Sequence, residues 1–286
     1  MKAKKIDERK TFRLQIQDDK LIFLTPHLGG GEISKENIDR INAYPKIDKI
    51  HISGLNDETL EYFVEKHGNK FVSIEFFKCP KISDLSSLSQ LTNIEEIMFY
   101  WNQKSSKLWD MTNNKKLKII EIYDFRKVID LDYLSTAQNL TKLIIGSLDL
   151  HGKTILLSIE PISKLNKLEE LRLGVDKIIE NDFTVFSTLK SLKLIHFPAN
   201  MYKLEVLAWL KVHLTSEASK NLEAPLKTIE EPFDIGTKIV DVYGIGKGKR
   251  RWLNAETDKK IIDKMKKEFN TFYTKFNNDK NLVPKK

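Results

Sequence analysis

Between Ile47 and Leu194 one short pattern, apolar-x-x-apolar-x-apolar, recurs seven times, and this recurrence restricts the fold more than any other property of the chain. The copies are Ile47-Ile50-Ile52, Phe71-Ile74-Phe76, Ile94-Ile97-Phe99, Leu117-Ile120-Ile122, Leu140-Leu143-Ile145, Leu168-Leu171-Leu173 and Leu189-Leu192-Leu194. Their middle residues are separated by 24, 23, 23, 23, 28 and 21 positions. A single copy has nothing to bury its apolar face against, so neighbours must stack, with short strands side by side in parallel along one concave surface. The apolar residues between strands, such as Leu85, Leu88 and Leu91, or Ile159, Ile162 and Leu165, fall at helical or 3-10 spacing and mark the convex segments. The interval of 28 coincides with His151-Gly152-Lys153-Thr154-Ile155-Leu156-Leu157, an insertion predicted to bulge between the fifth and sixth strands.

The flanks have a different character. Thr11-Phe12-Arg13-Leu14-Gln15-Ile16 and Lys20-Leu21-Ile22-Phe23-Leu24 surround an Asp18-Asp19 turn and predict a β-hairpin that caps the first repeat. The loop from Pro26 through Gly29, Gly30 and Gly31 leads to a short helix from Ser34, its N-cap. After Leu194 the series Leu204, Leu207, Leu210 and Leu214 fits either an eighth, degenerate repeat or an amphipathic helix. Residues 215–235, with Pro225 and Pro232, read as a connecting loop. Lys238–Tyr243 and Lys249–Leu253 flank a glycine-rich turn and predict a second hairpin. Ile262, Met265, Phe269, Phe272 and Phe276 then share one face of a helix that covers the open end of the solenoid. The expected organisation is a hairpin cap over 1–37, repeats over 38–214, and a loop, hairpin and helix cap over 215–286.

Composition sets broad limits. With 41% hydrophobic and 31% charged residues the chain is an ordinary folded protein. No apolar run approaches the roughly 20 residues that cross a bilayer. The basic N-terminus continues into charged rather than apolar residues, so no export signal is visible. A lone cysteine, Cys79, rules out an intramolecular disulfide framework and agrees with a reducing, cytoplasmic setting. The formal charge of +8 is unevenly spread: residues 1–20 carry +3, residues 21–232 carry −2 and residues 233–286 carry +7. A neutral repeat body with a basic tail argues less for nucleic acid than a basic stripe along the binding surface would.

In their strand pattern the repeats, covering roughly residues 38–214, resemble the leucine-rich repeat family. That family usually places Asn or Cys three residues after the last strand apolar, where the side chain bonds turn backbone. The corresponding residues here are Leu55, Cys79, Asn102, Phe125, Leu148, Asp176 and Phe197. Cys79 and Asn102 match, Asp176 is a polar substitute, and the other turns require apolar packing. The resemblance implies an α/β solenoid with a parallel β-ladder on its concave face. It further implies that the protein binds another macromolecule, and it implies no reaction.

Signals for catalysis are weak. His27, His51, His67, His151, His196 and His213 are scattered, without the spacing of a helical zinc site. Gly244-Ile245-Gly246-Lys247-Gly248-Lys249 lacks the glycine spacing and following Ser or Thr of a phosphate-binding loop and reads as a hairpin turn. Cys79, at the turn position, reads as buried rather than nucleophilic. No metal or cofactor is expected.

Strand alternation sends the remaining positions outward on the concave face. One column is His51, Glu75, Met98, Glu121, Ile144, Arg172 and Lys193; the next is Ser53, Phe77, Tyr100, Tyr123, Gly146, Gly174 and Ile195. Phe77, Tyr100 and Tyr123 occupy one position on three successive strands, with Trp101 at the edge. Glu75, Glu96, Glu121 and Asp124 make this end acidic, while Lys142, Arg172, Lys190 and Lys193 make the other basic. Exposed aromatics in a concavity have the composition of a binding hot spot. The expectation is therefore a non-enzymatic protein-binding module, such as an inhibitor or immunity-type protein, whose partner presents a basic residue beside an apolar anchor. The alternative is nucleic acid or an anionic membrane held by Lys247, Lys249, Arg250, Arg251 and the helix lysines.

Overall fold

The structure, a computed structural model, describes residues 12–26, 31–102, 104–125, 127–147 and 153–285. His27, Gly29, Gly30, Leu148, His151 and Gly152 lie outside the described residues, as does the basic N-terminus. The chain divides into two compact units, Met1–Leu168 with Arg172–Asp182, and Glu169–Leu171 with Phe183–Lys286.

The first unit begins with an antiparallel hairpin of β1 (Arg13–Gln17) and β2 (Lys20–Leu24). Its two-residue turn places Asp18 and Asp19 at φ +49° and +61°, the left-handed geometry that lets a tight turn follow the strand twist. β2 pairs in parallel with β3 (Lys49–Ser53), so the hairpin extends the ladder instead of lying across it. The ladder continues through β4 (Ser73–Phe77), β5 (Glu96–Tyr100) and β6 (Ile119–Tyr123). β7 (Val128–Ile129) stands aside. β8 (Lys142–Gly146) rejoins the ladder, as does β10 (Glu170–Gly174), which follows β9 (Ile155–Ser158) and gives Arg172–Gly174 to this unit.

Every ladder pairing from β3 to β8 is in register. Ile50, Ile74, Ile97, Ile120 and Leu143 therefore form one rung series, each fully buried. Two residues further along, Phe76 and Phe99 stack with centroids 4.9 Å apart. The convex side opens with helix α2 (Asp57–His67), after the short α1 (Lys35–Asp39); Asn56 and Thr59 cap α2 reciprocally. Later repeats use 3-10 turns, Ser86–Gln90, Asp132–Thr136 and Glu160–Lys164, which bury Leu88, Leu134 and Ile162. Between two such turns Trp109 donates its indole N–H to Asn114 Oδ1 (2.8 Å), and Asn114 Nδ2 donates to the carbonyls of Leu88 and Leu91.

The predicted bulge is not what forms at its described end. β9 lies between β7 and β11 (Lys177–Glu180) in a second parallel sheet, where Ile129, Leu156 and Ile178 make a buried rung. Along Ile155-Leu156-Leu157, Leu156 is buried, Ile155 partly so and Leu157 exposed, because a strand turns alternate residues to opposite faces.

The second unit corrects the last repeat. Lys193 and Leu194 both donate backbone N–H groups to Glu169 O, as Val72 and Ser73 do to Asp48 O in an earlier repeat. Ile195, in β12 (Leu194–His196), is therefore the counterpart of Leu171, and the true interval is 24 residues, not 21. Ile195 and Phe197 are buried, while Leu194 is only partly so. The segment is apolar at 189, 192, 194, 195 and 197, so two registers satisfied the pattern and packing chose the other one. The turn position of this copy is then Asn200 rather than Phe197.

Leu204–His213 is helix α3 rather than an eighth repeat. Leu204, Val206, Leu207, Ala208, Trp209 and Leu210 are all buried, so α3 is a core helix and not an amphipathic one. Residues expected to be loop instead form α4 (Ser216–Asn221) and β13 (Leu226–Asp234). β13 pairs with β14 (Ile239–Gly244), which pairs with β15 (Trp252–Leu253) as the predicted hairpin. Helix α5 (Lys259–Asn278) buries Ile262, Met265, Phe269 and Phe276 and packs on α3. Beyond it the chain returns to α3, where Trp209 Nε1 donates to Leu282 O and His213 Nε2 lies 2.9 Å from Lys280 O.

Candidate partner-binding face

The residue after each of four successive ladder strands adopts a left-handed backbone: Gly54 at φ +76°, Lys78 at +49°, Trp101 at +59° and Asp124 at +60°. Only glycine fits the first position, since a Cβ there would stand 2.3 Å from Gly31 O. At the other three, side chains accept a conformation costing roughly 1–2 kcal/mol each. Their N–H groups carry the ladder one residue further, as in Lys78 N to Tyr100 O and Trp101 N to Tyr123 O.

This backbone places the Trp101 indole edge-on against Phe77, centroids 5.1 Å apart and planes at 83°. Phe77 also meets the His51 ring at 4.8 Å, and Trp101 meets Tyr100 at 6.3 Å. Tyr100 and Tyr123 stack at 4.9 Å and 10°, the spacing of their paired strands. The result is a continuous string of five rings, His51, Phe77, Trp101, Tyr100 and Tyr123. Phe77, Tyr100, Trp101 and Tyr123 are each half-buried. Lys78 lies over both Phe77 and Trp101, 5.3 and 5.4 Å from the ring centres, a cation–π clamp that the strand pattern did not reveal. The signal available in sequence was its equivalence to Trp101, 23 positions later.

The charges expected to make this end acidic are engaged internally. Glu75 meets His51 Nδ1 and Lys20 Nζ, each at 2.7 Å. Burial favours its neutral form, but the hydrogen bonds from His51 and Lys20 outweigh burial and hold its pKa near about 2. Glu121 accepts from Lys142 Nζ at 2.7 Å and from the Tyr123 hydroxyl at 3.0 Å. Glu96 accepts from Ser73 Oγ at 2.9 Å. Asp124 is buried and accepts from Ser147 Oγ. Both phenols are held neutral: burial and the nearby Glu75 and Glu121 push Tyr100 up to about 12, and burial and Glu121 raise Tyr123.

The remaining predicted positions sit differently. Ser53 is fully buried beneath Thr25, whose N–H donates to its hydroxyl at 2.8 Å. Arg172 is exposed on β10, and its charge reaches Tyr123. Lys193 belongs to the second unit, precedes β12 and pairs with Glu169 at 2.8 Å; in the corrected register the counterpart of Arg172 is His196. Cys79 is buried, with Sγ 3.7 Å from Ile52 O and Phe77 O, and burial pushes its thiol up to about 12, which leaves it in the unreactive form. Asn102 fills its turn role by accepting from Lys104 N and Ser105 N.

A parallel ladder with in-register apolar rungs recurring every 23–24 residues from β3 to β8, its strands linked on the convex side by a helix, 3-10 turns or irregular segments, is a leucine-rich repeat fold. No family profile matches the chain, and no curated protein matches it in sequence. Among solved structures it is similar to internalin C2 from Listeria monocytogenes, with 16% identity, 63% of this chain and 80% of that one covered, and a TM-score of 0.45. It is similar to TLR13 in the TLR13–ssRNA13 complex, with 13% identity, 63% and 29% covered, and a TM-score of 0.46. A second internalin from Listeria monocytogenes shows 13% identity, 69% and 79% covered, and a TM-score of 0.32. Among the described residues no helix is long and apolar enough to cross a membrane.

Proposed function

We propose that this protein is a non-enzymatic binding module that holds a protein partner on the outward face of the ladder, through Phe77, Tyr100, Trp101 and Tyr123. The observation that carries this reading is Trp101. At the left-handed position that Gly54, Lys78 and Asp124 occupy in their own coils, Trp101 carries a large half-buried ring against the aromatic string, which extending the ladder does not require. Cross-strand stacking alone stabilises a sheet without such a residue. Because Glu75, Glu121 and Asp124 already have internal partners, the partner is selected first by an apolar or aromatic anchor. A basic residue beside that anchor would approach Glu96. The specific form we propose is a cytoplasmic inhibitor or immunity-type protein, for which a preorganised face is suited because little ordering cost remains at binding.

The basic C-terminal region supports a polyanion reading less well. Lys249 pairs with Glu268, Arg250 and Lys238 with Asp258, and Lys275 with Glu205.

The test compares wild type with the Tyr100→Ala/Tyr123→Ala variant, its fold checked by circular dichroism, in capture from the source-cell lysate followed by direct titration of the captured protein. Loss of about 30-fold or more in affinity is expected for a hot-spot pair. Equal affinity for both proteins overturns the reading, and a steep loss with salt in both redirects it to the basic region.

A further inference from the structure

Within the second unit, a pocket of about 360 Å³ opens between the turn after β12, the end of α4 and the three-stranded sheet. Its size falls in the range of small-molecule sites. Apolar wall comes from Ile195, Phe197, Pro198, Leu222 and Ile245, and His196, Asn200, Asn221 and Tyr243 add polar groups to the lining. Its charged groups are Arg251, Lys227 and Glu223, and Lys227 and Glu223 pair at 2.9 Å. Two cations against one carboxylate leave an excess of one positive charge, and among the described residues the Arg251 guanidinium has no ion-pair partner.

The pocket is also fixed in shape. Ile245 N donates to Pro225 O, Gly246 N to Ala199 O and Lys247 N to Tyr202 O, all at 2.7–2.8 Å, while Asn221 Nδ2 donates to Lys193 O. Lys227 and Tyr243 are directly paired on β13 and β14, and Arg251 O accepts from Gly244 N, so sheet pairing sets the spacing of the polar rim. A site stitched together by backbone bonds does not have to be ordered when it is filled.

We propose that this pocket binds a small organic monoanion, a carboxylate carried on an apolar body, with Arg251 and Lys227 holding the carboxylate and the Phe197–Leu222–Ile245 wall covering the body. An inorganic anion would leave the apolar walls wet, and a neutral apolar molecule would leave the excess charge unmatched. A planar guanidinium accepts a carboxylate through two parallel hydrogen bonds. This site is separate from the aromatic string, so its failure leaves the ladder reading untouched.

The test titrates the full chain with phenylacetate, 4-phenylbutyrate and isocaproate, followed by saturation-transfer NMR, beside the corresponding amides and inorganic phosphate. The expected result is binding of at least one carboxylate, at least about 10-fold tighter than its amide, and a further loss of about 10-fold or more in Arg251→Gln, whose side chain is exposed and whose melting temperature is unchanged. Glu223→Gln, which frees Lys227, tightens binding several-fold, an effect that a purely structural role would not produce. Failure of all three carboxylates to bind at about 10 mM overturns the proposal. So does equal binding to wild type and Arg251→Gln, and so does phosphate binding with no gain from an apolar body.

Discussion

His51 Nδ1 lies 2.7 Å from Glu75 Oε1 across directly paired positions of β3 and β4, and Lys20 Nζ holds the other carboxylate oxygen at the same distance. The arrangement ties the N-terminal hairpin to the second ladder strand and makes that tie pH-dependent. The folded pKa of Glu75, about 2, lies below its ordinary 4.5, so the folded state binds its proton less readily than the unfolded state. The contribution is complete above pH 4.5 and is lost as pH falls through the folded value. Wild type should exceed Glu75→Gln by up to roughly 3 kcal/mol at pH 7, with the gap closing between pH 5 and pH 2. Urea denaturation of both proteins across that range measures it; a gap that does not change with pH contradicts the assignment.

Trp101 allows backbone strain to be separated from ring packing. Trp101→Ala and Trp101→Gly remove the same indole, but only glycine is at ease at φ +59°. The glycine variant should be the more stable of the two by about 1 kcal/mol, by chemical denaturation. Both should lose partner affinity alike, since the ring is the contact surface proposed above.

The register of the last repeat predicts opposite fates for adjacent residues. Ile195→Asp puts a charge among Phe197 and its buried neighbours and should cost about 3 kcal/mol or more. Leu194→Asp, on a partly exposed side chain, should cost about 1 kcal/mol or less. Thermal melts of the two variants decide it, and the reverse order would restore the interval of 21.

Asn114 is a buried residue whose amide joins three partners, Trp109 Nε1 and the carbonyls of Leu88 and Leu91. Asn114→Ala leaves the Trp109 N–H and the Leu91 carbonyl unpaired, while Leu88 O keeps its bond from Leu91 N, and should cost about 2 kcal/mol or more in urea denaturation. Asn114→Asp keeps the bond from Trp109 but turns a donor into a charged acceptor facing two carbonyls, and should be no better tolerated.

How far the sequence could be read depended on how many alternatives each segment offered. The rungs from Ile50 to Leu143 were legible because only one register aligns them. The copy at 189–197 offered two. The segment 215–235 was misread because Pro225 and Pro232 suggested loop, yet Pro232 lies where β13 shifts register against β14, one of the places a sheet tolerates proline. Helix α2 carried its signals openly, in Asn56, Thr59 and the spacing of Leu60, Phe63, Val64 and His67, but short apolar runs between strands do not distinguish a full helix from a 3-10 turn. On the face, the aromatic column was visible from strand alternation. Lys78 was signalled only by its equivalence to Trp101, and the internal pairing of the carboxylates was not visible, because the reach of a side chain across three strands has no fixed spacing in sequence.

Phe77, Tyr100 and Tyr123 stand next to one another in space but 23 residues apart along the chain. During synthesis, therefore, no fragment ending before β6 possesses the stacked tyrosine pair, however well its earlier coils have formed. Under the proposed function, recognition requires three consecutive coils to have emerged and docked, so a chain that stops before β6 should compete poorly for the partner.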